Sequence, residues 1–82
     1  MYFVYILECA DGTLYVGSTN DPERRVHEHN HAKAGAHYTK IRRPVTLRYS
    51  EKYDTKSEAL KRELEIKSRP REKKLELIQG KR

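Results

Sequence analysis

Tryptophan is absent from this chain, and cysteine, phenylalanine and methionine each occur once in 82 residues. With Cys9 alone, a disulfide framework is excluded and a zinc site built on thiolates lacks its ligands. A lone thiol fits a reducing compartment such as the cytoplasm. No apolar run approaches the roughly 20 residues that span a bilayer. The start shows neither the basic n-region nor the small-residue cleavage site of a secretory signal. The expectation is a soluble cytoplasmic protein with no membrane partner. Apolar residues are scarce too, at 35% against 37% charged, so a single domain over residues 1–82 must fold around a small core.

What the chain has in excess is positive charge, and it is unevenly placed. The net charge is +6; residues 1–31 carry a balance of −3 and residues 32–82 one of +9. Such asymmetry suits a surface for polyanions, nucleic acid or an anionic membrane face, with a solvated lysine-rich face as the plainer reading.

The strongest local signal is a hairpin over residues 2–19. Tyr2 to Glu8 reads as a strand covered on both faces, because its apolar character runs through consecutive positions. Asp11-Gly12 turns the chain, and Thr13 to Gly17 returns. A two-residue turn pairs Tyr5 with Ser18 and puts Tyr5 and Tyr15 on opposite faces. A three-residue loop, Ala10-Asp11-Gly12 with Gly12 left-handed, pairs Tyr5 with Gly17 and Leu7 with Tyr15, on one face. Local turn preference leaves both open.

Asp21-Pro22-Glu23 starts a helix that runs to about His31, with Val26 as its apolar anchor and Arg25 and His29 on one face. Residues 32–44 read as a basic loop. Val45 to Tyr49 alternates as a third strand, with Val45, Leu47 and Tyr49 on one face. Thr55-Lys56-Ser57-Glu58 is a capping box that opens a helix to about Ser68. In that helix Ala59, Leu60, Leu64 and Ile66 define an apolar arc, Glu63 and Lys67 fall inside it, and Arg62 lies on the solvated side. Arg69-Pro70 breaks the helix and a last one follows, with Leu75, Leu77 and Ile78 as contacts and Gly80 at its end. The fold class is α+β: a small three-stranded antiparallel sheet flanked by helices, in the order β-β-α-β-α-α.

Several side chains bear chemistry. Glu63 is either the inner half of an i, i+4 pair with Lys67 or a single carboxylate ligand for Mg²⁺ or Mn²⁺, ions that keep most of their waters. Tyr5 and Tyr15 are either strand aromatics or phenols with a task. His27, His29 and His31 invite a zinc reading, but His29 points away from the other two and no H-E-x-x-H pattern supports it. Lys40, Arg42, Arg43 and Arg48, interleaved with Tyr38 and Tyr49, suit phosphate contact and base stacking.

As an ordered set these pieces resemble the GIY-YIG nuclease family, and in particular its small stand-alone bacterial members. Val4-Tyr5-Ile6 and Tyr15-Val16-Gly17 stand in the two signature positions, with Val4 in place of the name-giving glycine. Arg25 follows Tyr15 by ten residues, His29-Asn30 matches the H-N pair, and Ala59-Leu60-Lys61-Arg62-Glu63 looks like the helix with the metal-binding glutamate. No equivalent is found for the C-terminal asparagine of more distant members. The resemblance implies a Mg²⁺- or Mn²⁺-dependent endonuclease with DNA as its partner, single-stranded or distorted. In it Tyr5 is the general base, Tyr15 positions water or phosphate, Arg25 stabilises charge, His29 is a secondary hydrogen-bonding or proton-handling residue and Glu63 holds the metal; this needs both tyrosines on one face and so selects the three-residue loop. Thr19, Tyr38, Lys40, Arg42, Arg43 and Lys67 would contact the nucleic acid. A non-catalytic nucleic-acid-binding module on the same fold is the alternative.

Overall fold

The hairpin turns through Ala10, Asp11 and Gly12, and Gly12 has φ +84°, a conformation that glycine adopts without a Cβ penalty. Asp11 fixes the turn by accepting from the Thr13 N–H at 3.1 Å and the Thr13 hydroxyl at 2.6 Å. The Cys9 N–H donates to the Thr13 carbonyl at 2.8 Å, which leaves a three-residue loop. Tyr5 therefore pairs with Gly17 and Leu7 with Tyr15. Both tyrosines lie on one face.

The computed structural model describes residues 1–31 and 37–80, and the side chains of all of these except 37 and 38. Its elements are β1 (Tyr2–Glu8), β2 (Leu14–Thr19), α1 (Pro22–His31), α2 (His37–Lys40), β3 (Thr46–Tyr53), α3 (Lys56–Lys67) and α4 (Arg71–Ile78). The sheet is antiparallel in the order β2-β1-β3. The α+β class and the order of the main elements are as expected. The four-residue α2 is an addition, in the stretch read as loop.

Strand alternation splits the core in two. Val4 and Ile6 of β1 point to one face, where they pack with Val16 and with Ala59 and Ile66 of α3. Tyr5 and Leu7 point to the other, with Cys9, Val45, Tyr15 and Val26 of α1. This two-sided cover explains the unbroken apolar run of β1.

β3 departs from the expected alternation. A register shift opposite Ile6 and Leu7 pairs Ile6 with Tyr49 and Leu7 with Leu47, so Arg48 is the extra residue of a bulge. Val45 therefore packs with Tyr5 and Leu7 while Tyr49 packs on the opposite face. The strand also continues to Tyr53, beyond the expected end at Tyr49.

α3 begins at the expected cap: Thr55 Oγ1 accepts from the Glu58 N–H at 3.2 Å and donates to the Glu58 carboxylate at 2.9 Å. Its inward stripe differs from the expected arc. Ala59 and Ile66 are fully buried, but Leu60 and Leu64 are 43% and 68% exposed. Arg62, expected on the solvated side, is turned inward and grips Glu51 of β3 with two bonds, Nε to Oε1 at 2.8 Å and an Nη to Oε2 at 3.0 Å. The hydroxyls of Tyr49 and Tyr53 also donate to Glu51. Four hydrogen bonds make a partly buried carboxylate at this position tolerable, which the apolar pattern alone does not reveal.

Candidate active site

α1 is positioned from both ends. At its start Asp21 Oδ1 accepts from the Arg24 N–H at 3.2 Å, a cap of the kind worth about 1 kcal/mol. Near its end the Asn30 amide pairs with the backbone of Val45, accepting from its N–H at 2.7 Å and donating to its carbonyl at 3.1 Å. Arg43 adds bonds from Nε to the His29 carbonyl and from an Nη to the Glu28 carbonyl. These ties fix which face of α1 meets the sheet. That face carries Arg25 and His29.

His29 is fully buried and lies between the two tyrosines. Its Nε2 is 3.0 Å from the Tyr5 hydroxyl and its Nδ1 is 2.6 Å from Thr39 Oγ1. The Tyr15 ring meets it edge-on, with centroids 5.2 Å apart. Gly17 makes the approach possible: a Cβ there would lie 2.7 Å from Tyr5 Cζ and 3.2 Å from the Tyr15 ring. Arg25 ion-pairs with Glu28 at 3.1 Å, and its positive charge acts on the Tyr5 hydroxyl.

Burial dominates the electrostatics. It pushes the Tyr5 phenol up to about 12, against the opposing pull of Arg25, with Tyr15 and Glu63 adding to the rise. His29 is pulled down to about 4, again first by burial and then by Arg25, with Arg43 adding and Glu28 opposing. At neutral pH the phenol is protonated and the imidazole is neutral.

Glu63 comes to this group from the other side of the sheet. Arg62 turns toward β3, and Glu63, one residue on, lies 100° around the helix from it. It is 14% exposed and Lys67 Nζ lies 2.6 Å from its Oε2. Its charge reaches the Tyr5 phenol. Among the described residues no group of three or more histidine, cysteine or carboxylate side chains is placed to hold a metal. A single hard carboxylate suits a hydrated Mg²⁺ or Mn²⁺ and does not suit a zinc cage. His27 and His31 stack on one another with centroids 4.4 Å apart, on the exposed flank of α1.

The structure thus gathers Tyr5, Tyr15, Arg25 and His29 into one cluster, with Glu63 in electrostatic reach. Thr19 stands apart at the end of β2, where its hydroxyl accepts from the Asp21 N–H at 3.1 Å. Arg42 ion-pairs with Asp11 at 3.1 Å, and Arg43 holds the end of α1. Lys40 and Lys67 are exposed, and the Tyr38 side chain lies outside the described residues. Thr39 was not singled out in the sequence. A short polar stretch after Gly35 carries no helical period, so nothing there marks one hydroxyl as buried.

The model of the GIY-YIG catalytic domain matches residues 1–76. A UPF0213 protein of Staphylococcus aureus is 60% identical over 77 residues, which cover 94% of this chain and 93% of that protein. One from Staphylococcus saprophyticus is 58% identical over the same length, with the same coverage. Among solved structures, a UPF0213 protein from Bacillus halodurans is 41% identical with a TM-score of 0.62, covering 99% of this chain and 86% of that one. A protein from Enterococcus faecalis (E. faecalis) is 42% identical with a TM-score of 0.64, covering 96% and 83%. A catalytic-domain match across nearly the whole chain, with relatives of this identity and coverage, makes the chain a member of the GIY-YIG family.

Proposed function

We propose that the protein is a divalent-metal-dependent endonuclease that hydrolyses phosphodiester bonds in single-stranded or structurally distorted DNA. The observation that carries this reading is the convergence of the Tyr5 hydroxyl, His29 Nε2 and the Arg25 guanidinium beside Tyr15, over the space that Gly17 leaves. Such a cluster combines a group able to accept a proton from water with a fixed cation for phosphate oxygens.

In this scheme Tyr5 takes the proton of the attacking water, and its own proton has an outlet at His29 Nε2, 3.0 Å away. A phenol near 12 is a poor base at rest. Loss of the phenolic proton therefore needs added positive charge at the site: Arg25 steadies the phenolate, and a divalent cation held by Glu63 would add to that effect. Tyr15 lines the same face and orients water or phosphate. Glu63 would hold one Mg²⁺ or Mn²⁺, which when bound supplies Lewis-acid stabilisation at the scissile phosphate. Lys40 and Lys67 (the latter paired with Glu63) add exposed positive charge for the strand, Arg42 and Arg43 add positive potential, and Thr19 and Tyr38 are further contacts in this scheme. A chain this small has little surface with which to enclose a long duplex, which favours a flexible or opened substrate.

An oligonucleotide panel of single strand, duplex, flap and junction, incubated with Mg²⁺, Mn²⁺ or chelator, tests the proposal. Metal-dependent cutting of single-stranded or branched substrates is the expected result. Salt-sensitive binding without cutting under every condition would replace it with a non-catalytic binding module.

A further inference from the structure

Thr39 is the one fully buried hydroxyl among the described residues of α2, and it has no place in the chemistry above. Its Oγ1 lies 2.6 Å from His29 Nδ1, while 3.0 Å separates His29 Nε2 from the Tyr5 hydroxyl on the other side of the ring. A neutral imidazole has one N–H and one lone pair, so what happens at one nitrogen dictates what the other can do.

The partners decide the direction. The positive charge of Arg25 acts on the Tyr5 oxygen, and a neighbouring cation favours lone pairs turned toward it and the phenolic proton turned away. That proton then needs a lone pair elsewhere. Tyr5 is 2% exposed, and the lone pair within hydrogen-bond distance is that of His29 Nε2. With Nε2 accepting, the ring proton must sit on Nδ1, and a hydroxyl oxygen at 2.6 Å is there to receive it. The other groups around the ring agree. Burial, Arg25 and Arg43 keep the resting ring neutral against the opposing pull of Glu28, so one proton is divided between two ring nitrogens, and Tyr15 meets the ring by its edge.

We infer that Thr39 is a positioning residue that holds His29 in the tautomer protonated on Nδ1, so that Nε2 keeps its lone pair on the Tyr5 hydroxyl. The catalytic consequence rests on the nuclease reading; the tautomer does not. When Tyr5 gives up its proton, the O–H bond breaks, an N–H bond forms at Nε2, and the electron pair stays on the phenolate oxygen. The imidazolium so formed still directs Nδ1–H at Thr39. With valine at position 39, Nδ1–H loses the oxygen that receives it, and the ring gains by moving its proton to Nε2. The Tyr5 oxygen then receives Nε2–H in addition to the charge of Arg25, and the phenolic proton loses its outlet.

The test is the ring-nitrogen NMR of His29 in the ¹⁵N-labelled protein near neutral pH, for wild type, Thr39→Ser and Thr39→Val. Wild type and Thr39→Ser should show a protonated Nδ1 and an unprotonated Nε2; Thr39→Val should shift toward the reverse. On the substrate cut best by wild type, Thr39→Val should lose about 10- to 100-fold in kcat with KM little changed, the range typical for groups that orient a functional histidine, and Thr39→Ser should restore most of it. A wild-type His29 protonated on Nε2 would overturn the inference, and that measurement needs no variant to fold. A folded Thr39→Val with the wild-type tautomer and rate would also overturn it. If wild type cuts nothing yet shows the Nδ1–H tautomer lost in Thr39→Val, the nuclease reading fails and the role of Thr39 stands.

Discussion

Gly17 lies directly against the Tyr5 phenol: a Cβ built at Gly17 would come within 2.5 Å of the Tyr5 hydroxyl and 2.7 Å of Cζ. Tyr5 is held by His29 and is 2% exposed. Gly17→Ala should therefore push the phenol off His29 Nε2. Overpacking of this kind costs about 1–3 kcal/mol, to be read as a lower urea midpoint, and cleavage should fall much further than stability.

Tyr5→Phe separates shape from chemistry at the same position. The ring still fills the space between Gly17 and His29, so the fold and the affinity for DNA should persist. Cleavage should fall by about 100-fold or more, the typical contribution of a positioned acid–base group. Single-turnover rates with unchanged binding by fluorescence anisotropy check this. Retention of the wild-type rate would remove Tyr5 from the chemistry.

His29 makes stability depend on pH in a known direction. The unfolded ring titrates near 6.5 and the native ring near 4. Between those values the unfolded chain binds a proton that the native chain refuses, so stability declines as pH falls from about 6.5 to about 4. The full loss is roughly 3 kcal/mol. Glu51 acts lower down: its carboxyl is held at about 2, despite burial, by bonds from Arg62, Tyr49 and Tyr53, so its contribution is present above 4.5 and is lost as pH falls toward 2. Urea titrations from pH 4 to 7.5 should show the first slope in wild type and a flatter one in His29→Gln.

Glu63→Gln should abolish cutting with either Mg²⁺ or Mn²⁺ and barely alter the melting temperature. The partner, Lys67, is 47% exposed and regains water when the carboxylate is gone. A pair whose cation stays half in water contributes about 1 kcal/mol or less. Glu51→Gln should do the opposite. It leaves the Arg62 guanidinium, only 20% exposed, without its main counter-charge, and about 2 kcal/mol of destabilisation is expected for a partly buried pair broken from one side. In a domain of this size that is a fall of about 8–16 °C in Tm.

What could be read from the residues was whatever local pattern controls. The strand of Tyr2–Glu8, the caps at Asp21 and Thr55 and the break at Arg69-Pro70 all follow from neighbours in the chain. The hairpin register needed more, since both loop lengths satisfy the turn chemistry of Asp11-Gly12 and only the partners of Tyr5 separate them. Arg62 was misplaced because helical periodicity ranks an arginine as solvated, whereas Glu51 is eleven residues earlier and meets it only in three dimensions. Tyr49 was assigned to the wrong face because a bulge at Arg48 depends on pairing with β1 and leaves no mark in the alternation. Thr39 was missed for the same reason: its importance comes from His29, ten residues away, and not from its neighbours.

The strand order β2-β1-β3 leaves β1 paired on both sides, and β1 carries Tyr5. Amides on a central strand are the last to exchange with solvent deuterium, because both neighbours must separate first. The residue proposed to start the chemistry is therefore mounted on the slowest-opening part of the molecule. Whatever moves to admit a DNA strand must be the surrounding edges and helices.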